Sequence, residues 1–301
     1  MPAVQQCPAC RSQQIRRMPA SRATGRTIVT CQVCGMSAHG EYDDAPPQVV
    51  AEDEITPELY AAYVAAKRDG GRPEIWREML ATSLRQLGTG RGTGGNTRVF
   101  DVGAGDGGFL QLARDEFGCE VFGNETSAAA VRLAKERHEI DLELGDIGTL
   151  GHENEFDVVT MWCVLAHVPN GDRLLADALA MLRPGGCLVL QTPHRTLADR
   201  AALGLAKASD GRVTKVSDRR LPTHHRILHT PASMELQLTR LGYTDVTATP
   251  KARYSLSSEL YLYFAGLRGP ALKAGSKVMD QFVDRGLAPR IVLDVFARKP
   301  L

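Results

Sequence analysis

Short apolar, β-branched runs alternate along this chain with stretches of helical spacing. Residues 99–102 form one such run, and Phe109-Leu-Gln-Leu-Ala113 resumes with the spacing of a helix. Residues 119–125 predict a second strand, and Ser127 caps a helix running from Ala128 to about His138. A third strand is expected over 142–147. Residues 156–162 are almost continuously apolar, as a strand buried on both faces requires. A helix over 172–182 stops at Leu182-Arg-Pro-Gly-Gly186, and 187–192 reads as the fifth strand. Helices over 197–208 and 230–241, the latter closed by Gly242, flank a basic stretch. Strands six and seven follow over 243–249 and 291–297. This alternation predicts an α/β fold with a mostly parallel, Rossmann-like sheet occupying 96–301. Residues 257–285 are mostly helical and fall outside it, as an insertion over about 255–287. Its apolar face suits either a substrate wall or a homodimer contact.

Two segments precede the sheet. Thr56-Pro57 opens a helix over 58–66, because proline is favoured in a first turn. A second helix over 73–87 places Ile75, Met79, Leu80, Leu84 and Leu87 at core-like spacing, and the glycine-dense residues 88–95 form a tether. Residues 45–95 are therefore expected to form a helical cap, with Tyr60 or Tyr63 reaching a ligand or packing in the core. Before the cap, Cys7-Pro-Ala-Cys10 and Cys31-Gln-Val-Cys34 are two C-x2-C knuckles joined through a strand over 26–30. That spacing matches a four-thiolate zinc ribbon over 1–44, whose closed sulfur shell makes the metal structural. His39 reads as a surface histidine beyond it. Cys119 and Cys187 read as small buried apolar residues, while Cys163 stands at the tip of strand four.

Candidate chemistry begins at Asp101-Val-Gly103-Ala-Gly105-Asp-Gly107. Glycines between a strand and a helix allow positive φ and close approach of the backbone to a ligand. The helix behind them directs free N–H groups into the same crevice. Asp101 suits a ligand with a cationic amino-acid end and disfavours a pyrophosphate. Glu125 ends the second strand about 20 residues after the turn, where ribose hydroxyls are recognised.

This order resembles motif I of class I S-adenosylmethionine (SAM)-dependent methyltransferases, and Leu182-Arg-Pro-Gly-Gly186 is a recurrent feature of the same family. The resemblance implies their seven-stranded sheet and a SAM site lined by Asp101, Gly103, Ala104, Gly105, Glu125, Thr126, Asp146, Ile147 and Trp162. Asp146 resembles the acid near the adenine amino group. With its ribbon, the chain looks like a bacterial small-molecule enzyme of the natural-product tailoring type. His167, in Val164-Leu-Ala-His167-Val-Pro169, resembles the histidine of a Glu-His pair in such enzymes, although Ala166 stands where they often carry glutamate. His194 follows Gln191-Thr-Pro193 after strand five. Either histidine is a candidate base, since imidazole titrates near neutrality.

From Gln191 to Thr230 there are eight basic residues (Arg195, Arg200, Lys207, Arg212, Lys215, Arg219, Arg220, Arg226) against Asp199, Asp210 and Asp218. A basic lip suits an anionic acceptor, with a solvated arginine-rich loop as the alternative. His194, His224, His225 and His229 share the stretch, and His225-x3-His229 matches metal spacing but lacks a third ligand in sequence. Over the whole chain charge is balanced, with a formal net charge of +1, so nothing global favours nucleic acid. No run of roughly 18 apolar residues suggests a membrane span, and no signal-peptide pattern opens the chain, so a cytoplasmic home is expected. An RNA methyltransferase that docks through its ribbon is an alternative. The ribbon, however, carries five arginines against three acids through Asp44, without interleaved aromatics. A SAM-binding protein without turnover, and SAM-dependent chemistry other than methyl transfer, complete the alternatives.

Overall fold

The computed structural model describes residues 3–41, 47–51, 54, 56, 58, 72–88, 97–222, 225–252, 258–264 and 267–301. Tyr60, Tyr63, His224 and most of the glycine tether lie outside these residues. Three short strands come first: β1 (Ile15–Arg17), β2 (Ile28–Cys31) and β3 (Ser37–His39). α1 (Arg72–Gln86) precedes β4 (Arg98–Val102), α2 (Gly108–Phe117), β5 (Glu120–Glu125), α3 (Ala128–His138) and β6 (Glu143–Leu144). Then follow β7 (Phe156–Trp162), α4 (Gly171–Met181), β8 (Leu182–Pro193), α5 (Leu197–Ala208), α6 (Lys215–Arg220) and β9 (Ile227–Leu228). The order closes with α7 (Pro231–Arg240), β10 (Thr244–Lys251), α8 (Ser258–Phe264), α9 (Gly269–Asp284) and β11 (Val292–Arg298).

Seven strands form the main sheet in the order β10-β11-β8-β7-β4-β5-β6. β6, β5, β4, β7 and β8 run parallel, while β11 lies antiparallel between β8 and β10. Successive side chains alternate between two cores. Phe100, Val159, Met161, Leu188 and Leu190 face α4 and α7, whereas Val99, Val158 and Val189 face α1 and α2. Both faces are covered, and Asp101, Asp157 and Thr160, polar residues within the central strands, are buried with them. Helix ends follow local chemistry. Ser127 accepts from the Ala130 N–H, and Thr196 and Thr230 each form a reciprocal capping box with Asp199 and Ser233.

Two strands differ from the sequence pattern. The third strand pairs only over Glu143–Leu144. The fifth begins at Leu182 with no intervening loop, because α4 ends at Met181 and Leu182 is already extended. The inserted helices α8 and α9 form as expected, and α9 buries only Leu272 while Val278 and Phe282 stay exposed. α1 packs as a core helix: Met79 and Leu80 are buried against Val99, Phe109 and Val189.

The N-terminal unit is joined to the main body by a strand. Its sheet runs β1-β2-β3-β9, so residues 227–228 complete a sheet begun at residue 15. Pairing covers an edge that β3 would otherwise expose. Arg240 clamps the joint by donating to Asp172 at 2.7 Å and to the Ala9 carbonyl at 3.0 Å. Arg195 donates to the Gly35 carbonyl at 2.7 Å, and Thr230 to that of Cys34. His39 is held here too, with Nε2 3.0 Å from the Pro222 carbonyl and its N–H bonded to the Arg226 carbonyl.

Candidate active site

β4 ends in a turn in which Gly103, Gly105 and Gly107 all take positive φ, at 67°, 62° and 77°. A Cβ on Gly103 would stand 2.8 Å from a Val164 methyl, so the loop after β7 closes directly on this turn. Glu125 reaches back from the end of β5. One carboxylate oxygen accepts from the Gly105 N–H at 2.9 Å, and the other from the N–H groups of Thr126 and Ser127 at 2.6 and 3.1 Å. The first oxygen keeps lone-pair capacity for a ligand hydroxyl. Ala104 and Asn124 complete the turn, since the Ala104 N–H bonds the Asn124 carbonyl at 2.9 Å. Residues 47–51 run along its rim, with Val50 bonded to Thr126 and Ala128.

Two residues sit deeper than a ligand contact requires. Asp101 is 1 % exposed and accepts from the Thr160 hydroxyl at 2.6 Å, which puts its charge beneath the glycine turn. Ile147 turns its side chain into the core beside Leu174 and Leu175. Asp146 caps the turn after β6 and lies 3.5 Å from the Arg173 guanidinium on α4. Trp162 packs edge-on against Phe109 at 5.0 Å, and its indole N–H is buried without a hydrogen-bond partner among the described residues. Such an orphan donor fits an acceptor atom on a bound ligand.

The two candidate histidines occupy different surroundings. His167 is exposed on the loop after β7, and its ring lies 4.7 Å from that of His225. Cys163 joins them, bringing three ligand-type atoms within 4.8 Å of one another. Its φ of 67° places a non-glycine residue in the left-handed region, a strain of about 1–2 kcal/mol. His225 and His229 therefore do not act together. His229 is fully buried, with Nδ1 3.1 Å from the Ser233 hydroxyl.

His194 lies past the end of β8. Its Nδ1 bonds the Arg290 carbonyl, which only accepts, so Nδ1 carries the proton and Nε2 keeps its lone pair. Burial holds its pKa below the usual imidazole value. His194 opens into a groove of about 630 Å³ between the cysteine knuckles and α5. Arg16, Arg195, Arg200 and Lys207 also line it, and no described lining residue is acidic. Across the joint the four cysteines converge: Cys7 and Cys34 sulfurs are 3.5 Å apart, and those of Cys10 and Cys31 are 3.6 Å apart. These separations exclude disulfides, whose sulfurs stand about 2.05 Å apart.

The sequence profile of a family described as a methyltransferase domain matches residues 65–248. The chain belongs to this family. It has the seven-stranded fold of class I SAM-dependent methyltransferases. Among curated relatives, a ubiquinone biosynthesis O-methyltransferase of Coxiella burnetii is 34% identical over 103 residues, 32% of this chain and 44% of that one. The Xanthomonas campestris protein of the same name is 30% identical over 135 residues, 42% of this chain and 54% of that one. The chain thus spans about half the length of the curated relatives it matches. Among solved structures, phosphoethanolamine N-methyltransferase 2 of Haemonchus contortus aligns with TM-score 0.57 and 17% identity, covering 83% of this chain and 59% of that one. A Haloferax volcanii methyltransferase, in complex with the Trm112 methyltransferase activator, aligns with TM-score 0.54 and 15% identity, covering 80% and 98%. These structures show the fold. Among the described residues, no helix is long and apolar enough to cross a membrane.

Two outcomes follow from these geometries. Replacing Glu125 with alanine removes the carboxylate that ties the turn to β5. SAM binding measured by calorimetry is expected to weaken by about 1.5–3 kcal/mol, the range of a charge-assisted hydrogen bond and its desolvation. Unchanged affinity would remove Glu125 from the site. The second concerns pH. Burial pushes the His229 pKa from 6.5 down to about 3. Between these values the unfolded chain binds a proton that the native chain does not, so stability falls as pH falls. From pH 7 to pH 5 the loss from this residue is about 2 kcal/mol. Urea unfolding should show His229→Gln losing that much less stability than the parent over the same interval. Parallel pH profiles would contradict the assignment.

Proposed function

We propose that this protein is a SAM-dependent methyltransferase acting on a small anionic acceptor, with a zinc ion in the four-cysteine cluster as structural support. The groove beside His194 carries this reading. Its size lies in the range of small-molecule pockets, and its lining is cationic without an acidic counterpart among the described residues. The curated relatives named for ubiquinone biosynthesis support a small acceptor.

SAM supplies an activated sulfonium methyl group, so the protein's contribution is alignment and, for an oxygen or carbon acceptor, proton removal. Glu125 and the glycine turn hold the nucleoside end. Val164, packed on Gly103, forms the wall between this end and the acceptor side. His194 is equipped to take a proton at Nε2, because the Arg290 carbonyl fixes its tautomer and burial keeps it neutral at pH 7. Arg16, Arg200 and Lys207 orient the anionic part of the acceptor.

The cysteine cluster fits zinc. Bonds of about 2.3 Å to four thiolates set sulfurs about 3.8 Å apart, close to the separations observed. The Cys10 and Cys34 N–H groups point at the Cys7 and Cys31 sulfurs at 3.4 and 3.5 Å. Such a site closes the coordination sphere and acts on folding. Reduced thiols suit the cytoplasm.

The test is to incubate the protein with methyl-labelled SAM and a fractionated cell extract. Label is expected in low-mass species retained by an anion exchanger. Label confined to RNA would overturn the small-molecule reading in favour of a ribbon-docked RNA enzyme.

A further inference from the structure

Among the described residues only two groups of three or more metal-ligating side chains converge, the four cysteines and Cys163–His167–His225. The second group belongs to no structural unit that needs it. We propose that Cys163, His167 and His225 bind a zinc ion at the acceptor side of the cleft. The inference rests on the reading above only for where the acceptor lies and which group takes its proton.

The donor set is chemically consistent. One thiolate and two imidazoles suit zinc, and three protein ligands leave a fourth position for water or substrate. Bonds of about 2.0–2.3 Å set tetrahedral edges of about 3.3–3.8 Å, and the three atoms already lie within 4.8 Å of one another. Small side-chain rotations close that gap.

The backbone holds all three positions before any ion arrives. The Cys163 N–H donates to the Gln191 carbonyl at 3.0 Å, and the His167 N–H to that of Val164 at 2.9 Å. His225 sits in a turn closed by its N–H on the Pro222 carbonyl at 3.1 Å. The two segments are then joined, because the Arg226 N–H donates to the Ala166 carbonyl at 2.7 Å. Cys163 adopts left-handed backbone to point its sulfur here. The position is also the right one for the reaction, since the neighbouring Val164 touches the first glycine of the donor turn.

An ion there acts as a Lewis acid for a hydroxyl or thiol acceptor. The acceptor's proton passes to the base, His194 in the reading above, and its lone pair forms the new bond to carbon. The carbon–sulfur bond of the sulfonium breaks onto sulfur, and the metal changes no oxidation state.

The experiment measures zinc per chain by elemental analysis after dialysis against buffer containing trace zinc, with calorimetry of SAM on the same samples. The parent protein is expected to hold two zinc ions, and His225→Ala and Cys163→Ser one each. Cobalt substitution should give two absorption signatures in the parent, of which the variants keep only that of the four-thiolate site. Thermal melting verifies that the variants are folded. One zinc in the parent, or a zinc content and cobalt spectrum that neither variant changes, would overturn the proposal. Two zinc ions without SAM binding would instead count against the functional reading and leave the metal site standing.

Discussion

Replacing Cys31 with serine is expected to release the metal from the four-cysteine cluster, unfold residues 3–41 and abolish turnover. Apparent binding energies of structural zinc in small modules are about 10–16 kcal/mol, more than the roughly 5–15 kcal/mol that stabilises a typical domain. The unit's own core is small, with Val4, Ala9, Val29, Met36 and Ala38 around the sulfurs and Ile227 of β9 against them. Loss of activity follows through β9. Once β3 no longer pairs with residues 227–228, and His39 no longer binds Pro222 and Arg226, the segment bearing His225 and the basic groove loses its anchor. Circular dichroism, zinc content and turnover should fall together. A variant that stays folded and metal-loaded while losing activity would show that the cluster is not merely structural.

The second large effect is expected at His194. Changing it to alanine removes the proposed base, which contributes on the order of 10²–10⁴ in rate. Asparagine tests packing, since its amide can keep the bond to the Arg290 carbonyl without accepting the substrate proton. Both variants should lose turnover while SAM affinity stays unchanged. If asparagine restores the parent rate, alignment alone drives transfer and the acceptor is an amine or thiol already able to attack.

The sheet was legible because its central strands are buried on both faces, so Val99 to Val102 and Phe156 to Trp162 are mostly apolar, broken only by Asp101, Asp157 and Thr160. Helix limits were legible where local chemistry sets them, as at Ser127, Thr196 and Thr230. The glycine turn was equally local. What escaped depends on contacts between distant segments. β9 is two residues long, too short for any periodic signal, and is defined by a partner strand nearly 200 residues earlier. The Cys163–His167–His225 group had no spacing to reveal it, since the pattern drew attention to His225 and His229 instead. Burial sends His229 into the core and leaves His225 facing His167. Ile147 illustrates the same limit: the short turn after β6 sets which way its side chain points, and it points into the core.

The most direct measurement is a crystal structure of the protein with S-adenosylhomocysteine. The account predicts the ribose hydroxyls on the Glu125 carboxylate and the homocysteine sulfur at the mouth between Cys163 and His194. A nucleoside bound away from the glycine turn, or a sulfur directed away from the ends of β7 and β8, would contradict it.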